Sequence, residues 1–200
     1  MSRAWAVYLI TILLILAGCG LNATRTIVPV PEPDLTILLR TKGIAATKGE
    51  ISIAVVPLPD VKELDGFGIL IANESKHWIS FEKKDCVLIQ GGEARQPMSK
   101  SQTVSRLGGS YKASMPNELS ADIYRWRQSV NLMRKRAREM DSIIEDKEIS
   151  VMGGTKETVY FYFSTQGNMA PMQFIIPNIY NEATGQRTRF SFKFNVEKTS

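Results

Sequence analysis

Phe190-Ser191-Phe192-Lys193-Phe194-Asn195-Val196 places an apolar side chain at every second position, with small, charged or polar residues between. Thr158-Val159-Tyr160-Phe161-Tyr162-Phe163 does the same with Val159, Phe161 and Phe163. Successive side chains of a strand point to opposite faces, so each run turns one apolar face to a core and one mixed face outward. Two such runs near one end of the chain point to an all-β domain.

Working toward the N-terminus, further short segments have strand character and are separated by turn residues. They are Met172 to Ile176, Asp85 to Gln90 ending at Gly91-Gly92, His77 to Phe81, Phe67 to Ala72, Ile51 to Val56 before Pro57 and Pro59, and Leu35 to Leu39. A hairpin of residues 77–82 and 85–90 turning at Lys83-Lys84 would set Cys86 opposite Phe81 and His77 opposite Gln90, keeping His77 and Cys86 roughly 13 Å apart. The expected fold is a β-sandwich of about seven strands.

One segment breaks the pattern. Leu119, Ile123, Trp126, Val130, Met133, Ala137, Met140 and Ile144 recur at alternating spacings of four and three, the stripe of an amphipathic helix over about 118–146, with Asn117 as N-cap. Three dispositions are open. The stripe packs on its own sandwich, or two copies pair through it with Asp122 facing Arg127 and Arg136 facing Asp141. In the third, the basic residues Arg125, Arg127, Arg134, Lys135, Arg136 and Arg138, with Trp126 beside them, face anionic lipid or envelope polymer.

The first 18 residues have a different character. Arg3 is followed by an apolar run from Ala4 to Ala17, interrupted only by Thr11, and then by Gly18-Cys19-Gly20. A basic start, an apolar centre and small residues at the end make up a secretory signal, and the run is shorter than the roughly 20 residues a membrane-spanning helix needs. Leu16-Ala17-Gly18-Cys19 resembles the lipobox of bacterial lipoproteins. That resemblance implies cleavage before Cys19, acylation of its thiol by fatty chains such as palmitate, and anchorage to the bilayer through Cys19. Two or three acyl chains hold a protein stably where one does not. Gly20 in place of Asp implies, by the same resemblance, the outer membrane facing the periplasm. Residues 19–34, with Pro29, Pro31 and Pro33, are then an extended tether, and 35–200 the folded domain.

Removing residues 1–18 takes away one charge, Arg3, so a formal +5 becomes +4 on 182 residues. That is one domain of ordinary size. Charge of both signs is spread along the chain, and no nucleic-acid-binding spacing is present. With Cys19 lipidated, Cys86 has no intramolecular disulfide partner, and its apolar surroundings make it a buried, inert thiol.

A search for chemistry finds little. The single histidine, His77, is not placed to activate a nucleophile, so no catalytic residue is assigned. Metal-ligand spacings are absent, no cofactor is expected, and the paired glycines lack the lysine of a phosphate loop. Two further stretches, Ile69-Leu70-Ile71-Ala72-Asn73-Glu74-Ser75 and Val151-Met152-Gly153-Gly154-Thr155, resemble the turns of immunoglobulin-like domains in exported bacterial lipoproteins, over roughly 50–196. The likeness implies an immunoglobulin-like sandwich here interrupted by one long helix. The resulting expectation is a non-enzymatic binding or assembly module on the envelope, whose partner is another envelope protein or a second copy through the helix. An envelope hydrolase working through carboxylates on glycans or peptides, and a subunit of a secretion or transport complex, are the alternatives.

Overall fold

A computed structural model describes residues 24–58, 64–107, 122, 141–142 and 148–199. Among these, the chain is mostly β, with one short helix and with Asp122, inside the span 118–146, in helical conformation. Its strands are β1 (Thr24–Pro29), β2 (Leu35–Leu38), β3 (Gly43–Lys48), β4 (Ile51–Pro57), β5 (Leu64–Asn73), β6 (Ile79–Glu82), β7 (Val87–Gln90), β8 (Glu93–Arg95), β9 (Asp141–Ser142), β10 (Glu148–Val151), β11 (Thr155–Ser164), β12 (Met172–Asn181) and β13 (Arg187–Thr199). The helix is α1 (Lys100–Leu107).

The strands form two sheets. A seven-stranded sheet runs β1-β13-β12-β6-β10, with β7 also on β12 and β8 on β7. A six-stranded sheet runs β2-β3-β4-β5-β11-β9. Pairing is antiparallel except where β9 lies parallel to β11. The thirteen strands among the described residues exceed the seven or so expected because several are only two to four residues long, too short to announce themselves by alternation.

The alternating residues are what hold the sheets face to face. Phe190, Phe192, Phe194 and Val196 of β13 and Met172, Phe174, Ile176 and Ile179 of β12 meet Val159, Phe161 and Phe163 of β11 and Phe67, Ile69 and Ile71 of β5 in one buried cluster. Phe67 stacks on Phe174 at 5.6 Å between ring centroids and lies 5.3 Å from Phe194. Such ring pairs contribute about 0.5–1.5 kcal/mol each beyond the area they bury.

Three expectations are corrected. Residues 24–29, expected within a free tether, are an edge strand. Thr24 to Pro29 pair residue by residue with Thr199 to Phe194, and Ile27 packs against the core. Proline is admissible there because Pro29 closes an edge strand, where a missing N–H costs no ladder bond.

Segments 77–82 and 85–90 do not form a hairpin. A 3-10 turn at Lys83–Asp85 carries the chain forward, so β6 and β7 lie end to end along β12. Against β13, the register of β12 shifts between Ile176 and Ile179, around Pro177, which has no N–H to donate.

Most of the helix expected at about 118–146 lies outside the described residues. Where its last turns were expected, however, Asp141–Ser142 is extended and pairs with Thr158–Val159. Two backbone hydrogen-bonding partners on β11 hold it there in place of helical ones.

The outward face of the six-stranded sheet is mixed, carrying Ser52 and Thr158 among apolar residues, but it is largely buried. Ala45, Ala54 and Val56 are fully buried on the side turned away from the core, with Leu38 and Leu70 beside them. Farther along, Leu58, Leu64, Tyr160 and Tyr162 are covered by Met98 and Leu107, the latter the last residue of α1. That helix starts on a capping box: Ser99 Oγ accepts from the Gln102 N–H at 3.3 Å, and Gln102 Oε1 accepts from the Ser99 N–H at 2.9 Å.

Candidate interaction surface

At one end of the molecule two turns lock together. Asn73, which closes β5 and is buried, donates from Nδ2 to the carbonyls of His77 at 2.7 Å and Val151 at 3.0 Å. Its Oδ1 accepts from the Ser75 N–H at 3.1 Å and the Ser75 hydroxyl at 2.6 Å. From the other turn, the Gly154 N–H donates to the Asn73 carbonyl at 2.8 Å. Gly153 fits only because it lacks a Cβ, which would stand 2.6–2.8 Å from the backbone of Ser75 and Lys76. The two short stretches singled out in the sequence, 69–75 and 151–155, are thus halves of one knot.

The knot positions an exposed apolar patch. Val151 pairs with Ile79 and both face the core, so the next residues outward, Met152 and Trp78, emerge on the outer side. Tyr180 pairs with Ser80 on β6 and with Arg187 on β13, its neighbour Ile179 pointing inward. Trp78, Met152 and Tyr180 are 47 %, 48 % and 39 % exposed, half of the large exposed apolar side chains among the described residues. The Arg187 guanidinium lies over the Tyr180 ring, 5.9 Å from its centroid. Trp, Tyr, Met and Arg together match the composition of protein–protein interface cores and hot spots. His77 sits beside this patch, exposed, in the turn before β6.

The opposite end is closed by charge. Asp65, 2 % exposed, accepts from Arg25 at 3.2 Å and from Arg95 at 3.0 Å. Arg25 also bonds the Thr165 hydroxyl, and Arg95 the Ser164 carbonyl and, at 2.7 Å, Gln90 Oε1. Asp65 pairs with Phe163 and Arg95 with Leu88, so these polar groups cap the inner faces of both sheets. They tie the sheets together; every hydrogen bond named runs to the protein itself.

One open cleft of about 280 Å³ lies beside the 3-10 turn, lined by Lys83, Lys84, Pro97, Met98, Ser99 and Gln102. Lys83 is buried, its Nζ 5.7 Å from the centre of the Phe161 ring, and Lys84 pairs with Glu82 at 2.5 Å. The lining's hydroxyl, Ser99 Oγ, bonds Ser101 Oγ at 3.0 Å and accepts from the Gln102 N–H. Cys86 is buried, and burial raises its thiol pKa far above the ordinary value. Among the described residues no cluster of His, Cys, Asp and Glu could hold a metal ion. No described helix is long and apolar enough to cross a membrane.

Of the residues assigned a role from sequence, Cys19, Arg125, Trp126, Arg127, Arg134, Lys135, Arg136 and Arg138 lie outside the described residues. The Trp78–Met152–Tyr180 patch was missed, since Trp78 precedes β6, Met152 follows β10 and Tyr180 lies on β12, and only the pairing of these strands brings them together. No protein-family model, curated protein or solved structure matches this chain. Its function is therefore read from its own residues.

Proposed function

We propose that this protein is a lipoprotein of the bacterial envelope, acylated at Cys19 and held on the periplasmic side of the outer membrane. Its domain is then a non-enzymatic docking module, and its partner another envelope protein. The observation that carries this reading is the spacing between the lipobox and the first strand. Only residues 20–23 separate Cys19 from Thr24, where β1 begins, a reach of about 17 Å at full extension. An acylated Cys19 would hold the β1 end of the seven-stranded sheet close to the bilayer. Along β13, Arg187 lies 12 residues from Thr199, the partner of Thr24, or about 40 Å. The Trp78–Met152–Tyr180 patch would then face away from the membrane, toward other envelope components.

Two packed sheets around a shared core, with the Asn73 and Gly153-Gly154 turns in contact, support placing the domain in the immunoglobulin-like class. A photoreactive residue at position 78 or 180, introduced into the chain in its native envelope, tests the docking role. It should form an adduct with another protein, while the same probe at position 198, beside the anchor, should not. Equal protein adducts from both ends, or none from 78 and 180, would refute the reading.

A further inference from the structure

The end of the molecule where β1 begins carries two apolar tips of its own. Of the six large apolar side chains exposed among the described residues, Trp78, Met152 and Tyr180 form the patch at the knot. Leu39 and Met169, 76 % and 37 % exposed, lie at the opposite end. Leu39 is in the turn from β2 to β3 and Met169 in the loop from β11 to β12. The register fixes this placement. Lys48 of β3 pairs with Ile51, which pairs with Asn73 of the knot, so β2 stops and β3 starts on the far side. Thr155 of β11 also pairs with Asn73, and Ser164 with Leu64, so the loop after Ser164 lies on that side too. Thr24 joins them, since it pairs with Thr199 and the next residue, Arg25, bonds Asp65 and the Thr165 hydroxyl.

Each tip is held from beneath by a buried polar side chain. Asp122, 3 % exposed, accepts from the Arg40 N–H at 3.1 Å, the Thr41 N–H at 2.9 Å and the Thr41 hydroxyl at 3.0 Å. Gln90, fully buried, donates from Nε2 to the carbonyls of Asn168 at 3.3 Å and Ala170 at 3.1 Å, on either side of Met169. With these backbone groups turned inward, the apolar side chains beside them stand in solvent. Leu39 is followed by Arg40 and, after the buried Thr41, by Lys42, both exposed. Lys42 holds φ at +52°, a left-handed conformation that asparagine or glycine adopts more readily. Among the described residues, the exposed carboxylates toward this end are Glu93, bonded by Gln166, and Glu197, next to Lys198.

We propose that this end rests on the bilayer, with Leu39 and Met169 dipping into the boundary between head groups and acyl chains and Arg40 and Lys42 on lipid phosphates. The contact rests on the lipoprotein reading above, because an acylated Cys19, reaching Thr24 through residues 20–23, is what brings this end to the membrane. Two apolar side chains and two cations bind a bilayer weakly by themselves, but an anchor keeps them at high local concentration beside it. β2 and β11 stand four strand spacings apart in their sheet, about 19 Å. Two contacts so separated, together with the anchor, fix the tilt of the domain, which a single point of attachment does not. The Trp78 patch is thereby held facing away from the membrane.

The test places a photoreactive residue at position 39, 169 or 152 of the full-length chain in the envelope of its native host, and reads adducts and the N-terminal peptide by mass spectrometry. All three positions are exposed, so the probe does not disturb the core. Phospholipid adducts should form from 39 and 169 and not from 152. An acylated chain with no phospholipid adducts from 39 and 169, or with equal ones from 152, would overturn the contact and leave the lipoprotein reading standing. An unmodified Cys19 would overturn both. Arg40→Glu with Lys42→Glu should lower phospholipid adducts from 39 at least about fivefold, from the attraction each basic residue feels near an anionic surface. An unchanged yield would overturn the part given to the two cations.

Discussion

At the scale of single residues, the buried polar groups are the points where a substitution has a calculable cost. Asp65 is one carboxylate between two guanidiniums, and Arg25 Nε and Nη2 and Arg95 Nε have no hydrogen-bonding partner of their own. Replacing Asp65 by Asn leaves two buried cations facing each other. Breaking a buried pair in this way costs about 3–5 kcal/mol, and urea unfolding of Asp65→Asn should show a loss of that size. Asn73 holds three backbone groups at the opposite end, so Asn73→Ala should cost at least about 2 kcal/mol by the same measurement. It should also lower photocrosslinking from position 78, because the knot that positions Trp78 is lost.

Cys86 gives a pH dependence with a definite sign. Burial raises its thiol pKa in the folded state, so the unfolded chain loses this proton first as pH rises. The thiol's contribution is complete below the unfolded value, about 8.5, and declines above it by at most about 1.4 kcal/mol per pH unit. Comparing wild type with Cys86→Ala by urea unfolding between pH 7 and 10.5 isolates this slope, which the variant should lack. A thiol reagent at pH 8 should leave the native Cys86 unmodified and react fully once the protein is unfolded.

At the scale of elements, β1 matters most, because it joins the proposed anchor to the fold. A chain beginning at Thr24 should keep the thermal stability of the whole domain. One beginning at Pro31 loses β1, uncovers the β13 edge and the core around Ile27, and should melt at least several degrees lower or aggregate. Equal melting temperatures for the two would show that β1 contributes nothing.

The elements also show which features were legible from sequence. Strict alternation in 158–163 and 190–196 identified the inner faces of β11 and β13 correctly, since a period of two has one structural meaning. The near-continuous apolar runs 51–56 and 67–72, interrupted by Ser52 and Gly68, concealed burial on both faces. Ala54, Val56, Leu70 and Ala72 at the alternate positions carried that signal, as such runs do in strands covered on two sides. Ser99 and Gln102 marked the start of α1 by their capping-box spacing, but eight residues with Gln, Thr and Ser among them have too little apolar periodicity to stand out. Alternation is local and cannot name a strand's partner, so the path of 79–90 along β12 was beyond reach of the pattern. For the same reason the Trp78 patch was illegible while its two supporting turns were visible.

At the scale of the whole molecule, the two ends differ in character. One is sealed by the Arg25–Asp65–Arg95 cluster and lies where the first strand enters; the other carries exposed aromatic and methionine side chains on a rigid double turn. With the photoreactive residue placed at position 152, Trp78→Ala with Tyr180→Ala should abolish adducts with other envelope proteins, and the two substitutions should change stability by less than about 1 kcal/mol, since both side chains are substantially exposed. This polarity acquires its functional meaning only from a lipid at the β1 end. Mass spectrometry of the N-terminal peptide from membranes of the native host is the most direct measurement. We predict a chain that begins at Cys19 and carries fatty acyl groups there, and that Cys19→Ala abolishes both. An intact N-terminus at Met1 with an unmodified Cys19 thiol would contradict the account.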